Sequence, residues 1–169
     1  AAGLTPAIID VDYFAMESMY ETNYEPQAAG EVIGLIHIGA HYTSINVISN
    51  GISTFTGDLP VGGQEFTDSV RRAMQISDED AENFKVAGLT NGDKGSDLEA
   101  LLRPAAQSLA EDIQRTLSLY GAIASEEGIR NIYLTGGGAK VVGLTSAMQE
   151  RLGVPVQLAE PFRNFRVSK

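Results

Sequence analysis

Residues 32–38 read VIGLIHI, a run whose one polar side chain is His37. Side chains along a strand alternate between its two faces, so a run this apolar must be covered above and below. It belongs at the centre of a sheet with other layers packed on both sides. A tight turn centred on Gly39 follows, and Thr43–Ile48 returns as a second strand with more alternation. Asn50-Gly51 is a strong hairpin signal, because both residues tolerate positive φ. Ile52–Leu59 then makes a third strand, and the stretch reads as an antiparallel meander. A small-residue turn between two strands leaves backbone N–H groups pointing outward, where they can cradle a phosphate. The segment from Glu31 to Asn46 is thus both the middle of the expected sheet and a candidate anion site.

The rest of the chain supplies covering layers and sheet edges. Pro6–Val11, PAIIDV, is a short β-branched run expected to be a strand, and Asp10 or Asp12 is placed to cap a helix over Tyr13–Tyr20. Asn23–Gly30, with Pro26, reads as a linker and a domain boundary. After Gly62-Gly63 a helix is expected over Gln64–Met74. Ser77-x-x-Asp80 resembles a capping box opening the next helix, to about Val86. Gly88–Ser96 is polar and Gly-rich, a surface loop. A long helix spans Asp97–Ala122, with Leu98, Leu101, Leu102, Leu109, Ile113, Leu117 and Tyr120 as its apolar stripe. Pro104 should kink it or divide off its first turns. Ile129–Leu134 is a strand running into Gly136-Gly137-Gly138. A helix leaves that turn from Ala139 or Val141 to Arg151, Gly153 stops it, and Val154–Leu158 is the last strand. Pro161–Lys169 reads as an extended basic tail. The order of elements is that of a mixed α/β domain.

Bulk properties exclude several partners. A length of 169 residues allows a proper core. The net charge of −10 offers no basic footprint for nucleic acid and argues against docking on anionic lipid. No cysteine is present, which removes disulfides and thiolate metal sites. No apolar run approaches the roughly 18 residues of a membrane span, and residues 1–14 lack the charged and apolar regions of a signal peptide. The chain starts with Ala, which suggests a processed or trimmed product.

Three groups of residues could carry chemistry. The Gly136–Gly138 turn joins a strand to an expected helix N-terminus, where free N–H groups and the helix dipole favour an anion. The turn lacks the Lys-Ser/Thr of a Walker loop, and Val141 stands where a dinucleotide fingerprint needs its third Gly. A tight connection with no ligand fits the same residues. His37 and His41 flank the Gly39 turn, but two histidines without Cys or an intervening carboxylate do not complete a metal site. Glu111, Gln114 and Arg115 share one face of the long helix by their spacing, and spacing alone favours a solvated face. No Ser-His-Asp or Cys-His grouping is apparent, and no pair of acids is placed for general acid–base work.

Taken in order, these segments are more specific than any one of them. PAIIDVDYFAMES, HIGAHYTSINVISNG, FTGDLPVGGQEFT, LLRPAAQSLAEDIQRTLSLY and IYLTGGGAKVVGLTSAMQERLGVPVQLAEPF together resemble the second lobe of an actin-like ATPase. Within that superfamily they resemble the FtsA-like PilM family of type IV pilus assembly. The resemblance implies an α/β, ribonuclease H-like second lobe, a mixed sheet with a strand meander and flanking helices. Residues 1–27 would be a remnant of the first lobe, 28–76 with 129–160 the core subdomain, 77–128 a helical subdomain, and 161–169 a tail leading back to the first lobe. It implies that Gly39, Ala40, His41, Tyr42 and Thr43 form the second phosphate loop and that Gly62 and Gly63 edge the cleft. Glu111, Gln114 and Arg115 would touch ribose and adenine, and Gly136, Gly137 and Gly138 would form the adenosine loop. The implied cofactors are ATP and Mg in the full-length protein, with none held tightly by this half.

The departures from the family pattern also carry meaning. His37 stands where the superfamily places an acid, and Ala40 and His41 replace glycines. The first phosphate loop and the family's final helix lie outside the chain. The resemblance therefore implies a scaffold for binding and switching, at most a weak ATPase. It would be cytoplasmic, peripheral at the inner face of the inner membrane, and recruited by the cytoplasmic N-terminal segment of PilN, mainly through the missing lobe. Other pilus assembly proteins would be further partners. The alternatives are a sugar or acid kinase of the same superfamily, for which Asp58 is the nearest candidate acid, and a lobe that binds only protein.

Overall fold

The computed structural model describes residues 3, 5–25, 28–88, 95–123 and 128–165. Helix α1 (Asp12–Asn23) precedes the meander β1 (Val32–Ile38), β2 (Thr43–Ser49) and β3 (Ile52–Leu59). Helices α2 (Gln64–Met74), α3 (Asp78–Gly88) and α4 (Gly95–Ile123) follow, then β4 (Asn131–Thr135), α5 (Leu144–Leu152) and β5 (Val156–Leu158). The five strands form one sheet in the order β3-β2-β1-β4-β5. The β1–β2 and β2–β3 pairs are antiparallel, while β1–β4 and β4–β5 are parallel.

β1 is the central strand, as its composition requires. Ile33 and Leu35 are buried on one face, where Met16 and Tyr20 of α1 cover them with Tyr133. Val32, Ile36 and Ile38 point the other way, into a larger core with Phe66 of α2, Leu102, Leu109 and Ile113 of α4, and Leu144 and Met148 of α5. Each fully buried Ile, Leu or Phe contributes about 1.5–3 kcal/mol relative to exposure. α4 buries Leu98, Leu102, Leu109, Ile113 and Leu117 along one stripe. It runs as one helix through Pro104, so the expected division does not occur. The pyrrolidine nitrogen cannot donate to the carbonyl one turn back, but the buried leucines on either side hold both halves to the same core. The Asn50-Gly51 hairpin is present with φ values of 53° and 75°. Half of the Ser77 box forms: Asp80 N donates to Ser77 Oγ at 3.1 Å, while the Ser77 hydroxyl bonds the Asp80 carboxylate at 2.7 Å.

Several expectations are corrected. Pro6–Val11 is not a strand. Ile8 and Ile9 are 86% and 96% exposed, and β propensity makes no strand without a ladder partner. α1 starts at Asp12 and continues to Asn23, beyond Tyr20, because Asn23 is itself buried and donates to Met19 O. No side chain caps α1; the Asp10 carboxylate accepts from Val11 N instead. β4 and β5 start two residues later than expected. Gly88 ends α3, Gly95 and Ser96 open α4, and the intervening part of the expected loop lies outside the described residues. The tail is turned rather than extended over residues 161–164. It folds against α1: Asn164 N donates to Asn23 Oδ1 at 3.1 Å, and Asn164 Nδ2 donates to Thr22 O at 2.9 Å.

Candidate functional site

The Gly39 and Gly136 turns are far apart in sequence and meet in space. Parallel pairing of β1 with β4 brings His37 opposite Thr135, so both strands end at the same level. Gly62-Gly63 completes the junction. Gly63 N donates to Gly39 O and Gln64 N to Ala40 O, each at 2.8 Å, so the first amides of α2 are tied to the turn. The backbones are pressed together. A Cβ on Gly62 would lie 2.5 Å from Gly39 O, and one on Gly136 would lie 2.4 Å from Ile38 O. Gly136 also has φ of +88°, where a side chain is strained. At Gly138 a Cβ would meet Ile38 Cγ2 at 2.5 Å. These glycines are needed for close packing of turn on turn, whatever the ligand. Gly39 N is engaged with Tyr42 O at 2.9 Å, so the outward amides of the loop are those of Ala40, His41 and Tyr42. Among the described residues these three donate to no backbone carbonyl.

The junction opens onto a cavity of about 550 Å³. Gly39, Ala40 and Gly63 form one wall, Gly137, Gly138, Lys140 and Val141 another, and Glu82, Lys85 and Val86 of α3 a third. Lys85 is the one buried cation there, 9% exposed. Its ammonium donates to Gly63 O at 3.3 Å and Thr67 Oγ1 at 2.9 Å, and it pairs with Glu82 Oε2 at 2.6 Å. The Thr67 hydroxyl in turn donates to Glu82. Burial pushes the Glu82 carboxyl up, but bonds from Lys85 and Thr67 and the Lys85 charge outweigh it and hold the group below its ordinary value. Such a cavity combines the Ala40 end of the loop for an anion, apolar Val86 and Val141 for a ring, and a carboxylate able to accept from sugar hydroxyls.

His37 sits behind this junction. Its Nδ1 lies 3.0 Å from Thr135 Oγ1, and the Thr135 hydroxyl is 3.7 Å from Met16 Sδ. Thr135 thus links His37 of β1 to Met16 of α1 at the end of the sheet. His37, Gly136, Gly137 and Lys140 border a second, larger cavity of about 1010 Å³, closed by Met16 and Met19 of α1 and by residues 158–163. The two cavities share Gly137 and Lys140.

A family model for the type IV pilus assembly protein PilM matches residues 1–169. The chain belongs to the PilM family. Among solved structures, it is similar to a PilM–PilN type IV pilus biogenesis complex at 27% identity and a TM-score of 0.81, over 99% of this chain and 46% of that one. It is 28% identical to the cell division protein FtsA of Bacillus subtilis (strain 168), over 76% of this chain and 34% of FtsA. The fold recurs in MreB5 of Spiroplasma citri bound to AMPPNP, with 19% identity and a TM-score of 0.57, over 80% of this chain and 50% of that one. The mixed sheet with its helices is thus the fold of actin-like ATPases. This PilM-family chain spans less than half the length of the PilM and FtsA relatives.

The expected site residues divide into those the fold gathers and those it disperses. Gly39, Ala40, Gly63, Gly137 and Gly138 line the smaller cavity, and Gly62 backs it. His41 and Tyr42 are exposed at the turn, while Thr43 is buried and donates to Val61 O at 2.8 Å. Gly136 faces the larger cavity. Glu111, Gln114 and Arg115 line neither. Glu111 lies 3.6 Å from Arg151 of α5, Gln114 donates to Arg151 O at 3.3 Å, and Arg115 pairs with Asp112. Glu111 and Gln114 thus meet Arg151 at the end of α5, while Arg115 pairs within α4. Asp58 also lies elsewhere: it accepts from Ser44 Oγ at 2.8 Å and from Tyr13, whose hydroxyl is pushed up to about 12 by burial and then by that bond. The helix expected directly after the triple-Gly turn begins only at Leu144. A short 3-10 turn, Gly138–Lys140, and Gly143 at φ 78° intervene, so α5 does not aim its N-terminus at the cavity from residue 139. Lys85 and Glu82 are the residues that spacing missed. The available signal was a lysine one turn after buried Ala81, on the face of α3 that should be apolar.

Proposed function

We propose that this chain is the nucleotide-binding half of an ATP-binding, actin-like scaffold of type IV pilus assembly. One observation carries the reading: two glycine turns distant in sequence are packed backbone to backbone and open, with Lys85 and Glu82, onto one cavity. In this proposal Gly137–Gly138, Val86 and Val141 take the adenosine. The amides of Ala40 to Tyr42 and the Lys140 ammonium take phosphate oxygens, with Mg on the phosphates. The opposite wall comes from sequence outside these residues. Titration calorimetry with ATP–Mg, run on the 169-residue chain and on the full-length protein, tests it. Binding is expected for the full-length protein, and at least tenfold weaker binding for the chain alone. No binding by either sinks the nucleotide reading. Equal binding by both sinks the split site.

PilN is the partner in the solved complex of a PilM relative. In this proposal the cytoplasmic N-terminal segment of PilN recruits the scaffold to the inner face of the inner membrane. Most of its groove, in this proposal, lies outside these 169 residues. A labelled peptide from the PilN N-terminus should therefore bind the full-length protein and bind this chain poorly. Equal affinity in fluorescence anisotropy would move the groove onto this half.

A further inference from the structure

We propose that the outer edge of β3 pairs with the same edge of a second copy of this chain, joining two five-stranded sheets into one. β3 ends the strand order, so among the described residues no strand pairs with its outer side. The edge lies apart from both glycine-lined cavities, and the inference does not depend on the nucleotide reading.

The ladder shows which groups are open. Gly39 N donates to Tyr42 O and closes the β1–β2 hairpin. Hydrogen-bonded pairs alternate along antiparallel strands, so Ser44 and Asn46 bond toward β1 while Thr43, Ile45 and Val47 bond toward β3. The Thr54 hydroxyl, which donates to Val47 O at 3.1 Å, marks the same direction at that residue. Opposite them Leu59, Gly57 and Phe55 bond inward, and Thr56 and Asp58 turn their N–H and C=O groups outward. Exposed edges are commonly guarded by lysine, proline or a bulge. The register of β3 skips Thr54, so its bulge leaves Phe55–Leu59 regular. No basic residue or proline lies within Ile52–Leu59, and its single charge, Asp58, is bonded to Ser44 and Tyr13.

The side chains select the occupant. Phe55–Leu59 fits a second copy of itself in antiparallel register about a two-fold axis at Gly57. Thr56 then stands opposite Asp58 of the second copy, hydroxyl to carboxylate, and the symmetry repeats the pair. On the other face Phe55 stands opposite Leu59, apolar on apolar, where both already border the larger core. Gly57 stands opposite Gly57. That place is narrow: a Cβ on Gly57 would meet Thr116 Cγ2 at 3.1 Å and the Phe55 ring at 3.3 Å, so an incoming strand fits best with glycine there. Five paired residues make a small interface, and each copy carries a charge of −10. The dimer is therefore weak at low salt and strengthens as salt screens the repulsion.

Sedimentation equilibrium of the 169-residue chain over a range of concentrations should show a monomer–dimer equilibrium that tightens with salt. In amide-exchange NMR, Thr56 and Asp58 should gain at least tenfold protection on dimerisation. Thr56 is exposed, so Thr56→Asp and Thr56→Lys should both fold, which urea unfolding checks. Thr56→Asp sets a carboxylate opposite Asp58 of the other copy and should weaken the dimer at least tenfold. Thr56→Lys sets an ammonium there and should tighten it several-fold. Gln149→Lys on α5 makes the same change in net charge away from the edge and should tighten it less. A chain that stays monomeric at every concentration overturns the proposal. So does a dimer whose Thr56 and Asp58 amides gain no protection, one that Thr56→Asp leaves intact, or one that Gln149→Lys tightens as much as Thr56→Lys.

Discussion

Gly136→Ala is expected to cost about 3 kcal/mol of folding stability, from a left-handed backbone carrying a side chain and a backbone overlap. The added Cβ would lie 2.4 Å from Ile38 O, a main-chain atom of the central strand that no rotamer change can move aside. For a chain of this size the loss corresponds to a drop of roughly 6–12 °C in melting temperature. Gly51→Ala is the matched control. Its φ is +75°, yet a Cβ there meets nothing within 4 Å, so only the conformational part remains, about 1 kcal/mol. Urea unfolding of both variants separates the two contributions. Equal losses would show that the turns are not pressed together at the end of β1 and β4.

Lys85→Met should weaken ATP binding by the full-length protein ten- to a hundredfold, or about 1.4–2.8 kcal/mol. The methionine nearly matches the lysine stem in length but leaves Gly63 O without its side-chain donor and Glu82 without its counter-ion. Glu82 is half exposed and is taken up by water, so the main loss is the ammonium that bridges Gly63 O and Thr67 Oγ1. The edge of the cavity formed by Gly63 should loosen, and a cation beside the bound anion disappears. Lys140→Met, at an exposed position on the shared rim, should weaken binding without loss of stability. Calorimetric affinity measured beside urea unfolding distinguishes these outcomes. A folded Lys85→Met protein with unchanged affinity would remove Lys85 from the site.

Where burial dictates residue type, the fold is legible in the sequence. β1, β3 and α2 stand where their periodicity puts them, and the Asn50-Gly51 turn is where its chemistry requires. Errors concentrate where a local signal depends on a distant partner. PAIIDV has the composition of a strand but no neighbour to pair with among the described residues. The site was half legible for the same reason. Glycine turns announce themselves locally, because Gly tolerates φ and proximity that other residues do not. Spacing reads the Glu111–Gln114–Arg115 face as solvated, and Glu111 and Arg115 are exposed, but helical spacing says nothing of Arg151 of α5 meeting Glu111 and Gln114. Lys85 was missed because one cation on a short acidic helix reads as solvated until α2 is placed over it.

The order of strands has a kinetic consequence. β1, β2, β3 and α2 are consecutive, so the half of the cleft made by Gly39 and Gly63 needs only short loop closures. The other half waits for β4, which pairs with β1 only after three helices have intervened. Parallel pairing across such a separation is slow, since chain entropy is lost before any contact compensates. The cleft is thus completed late in folding, and contacts made across it belong to the class that slows unfolding more than it speeds folding.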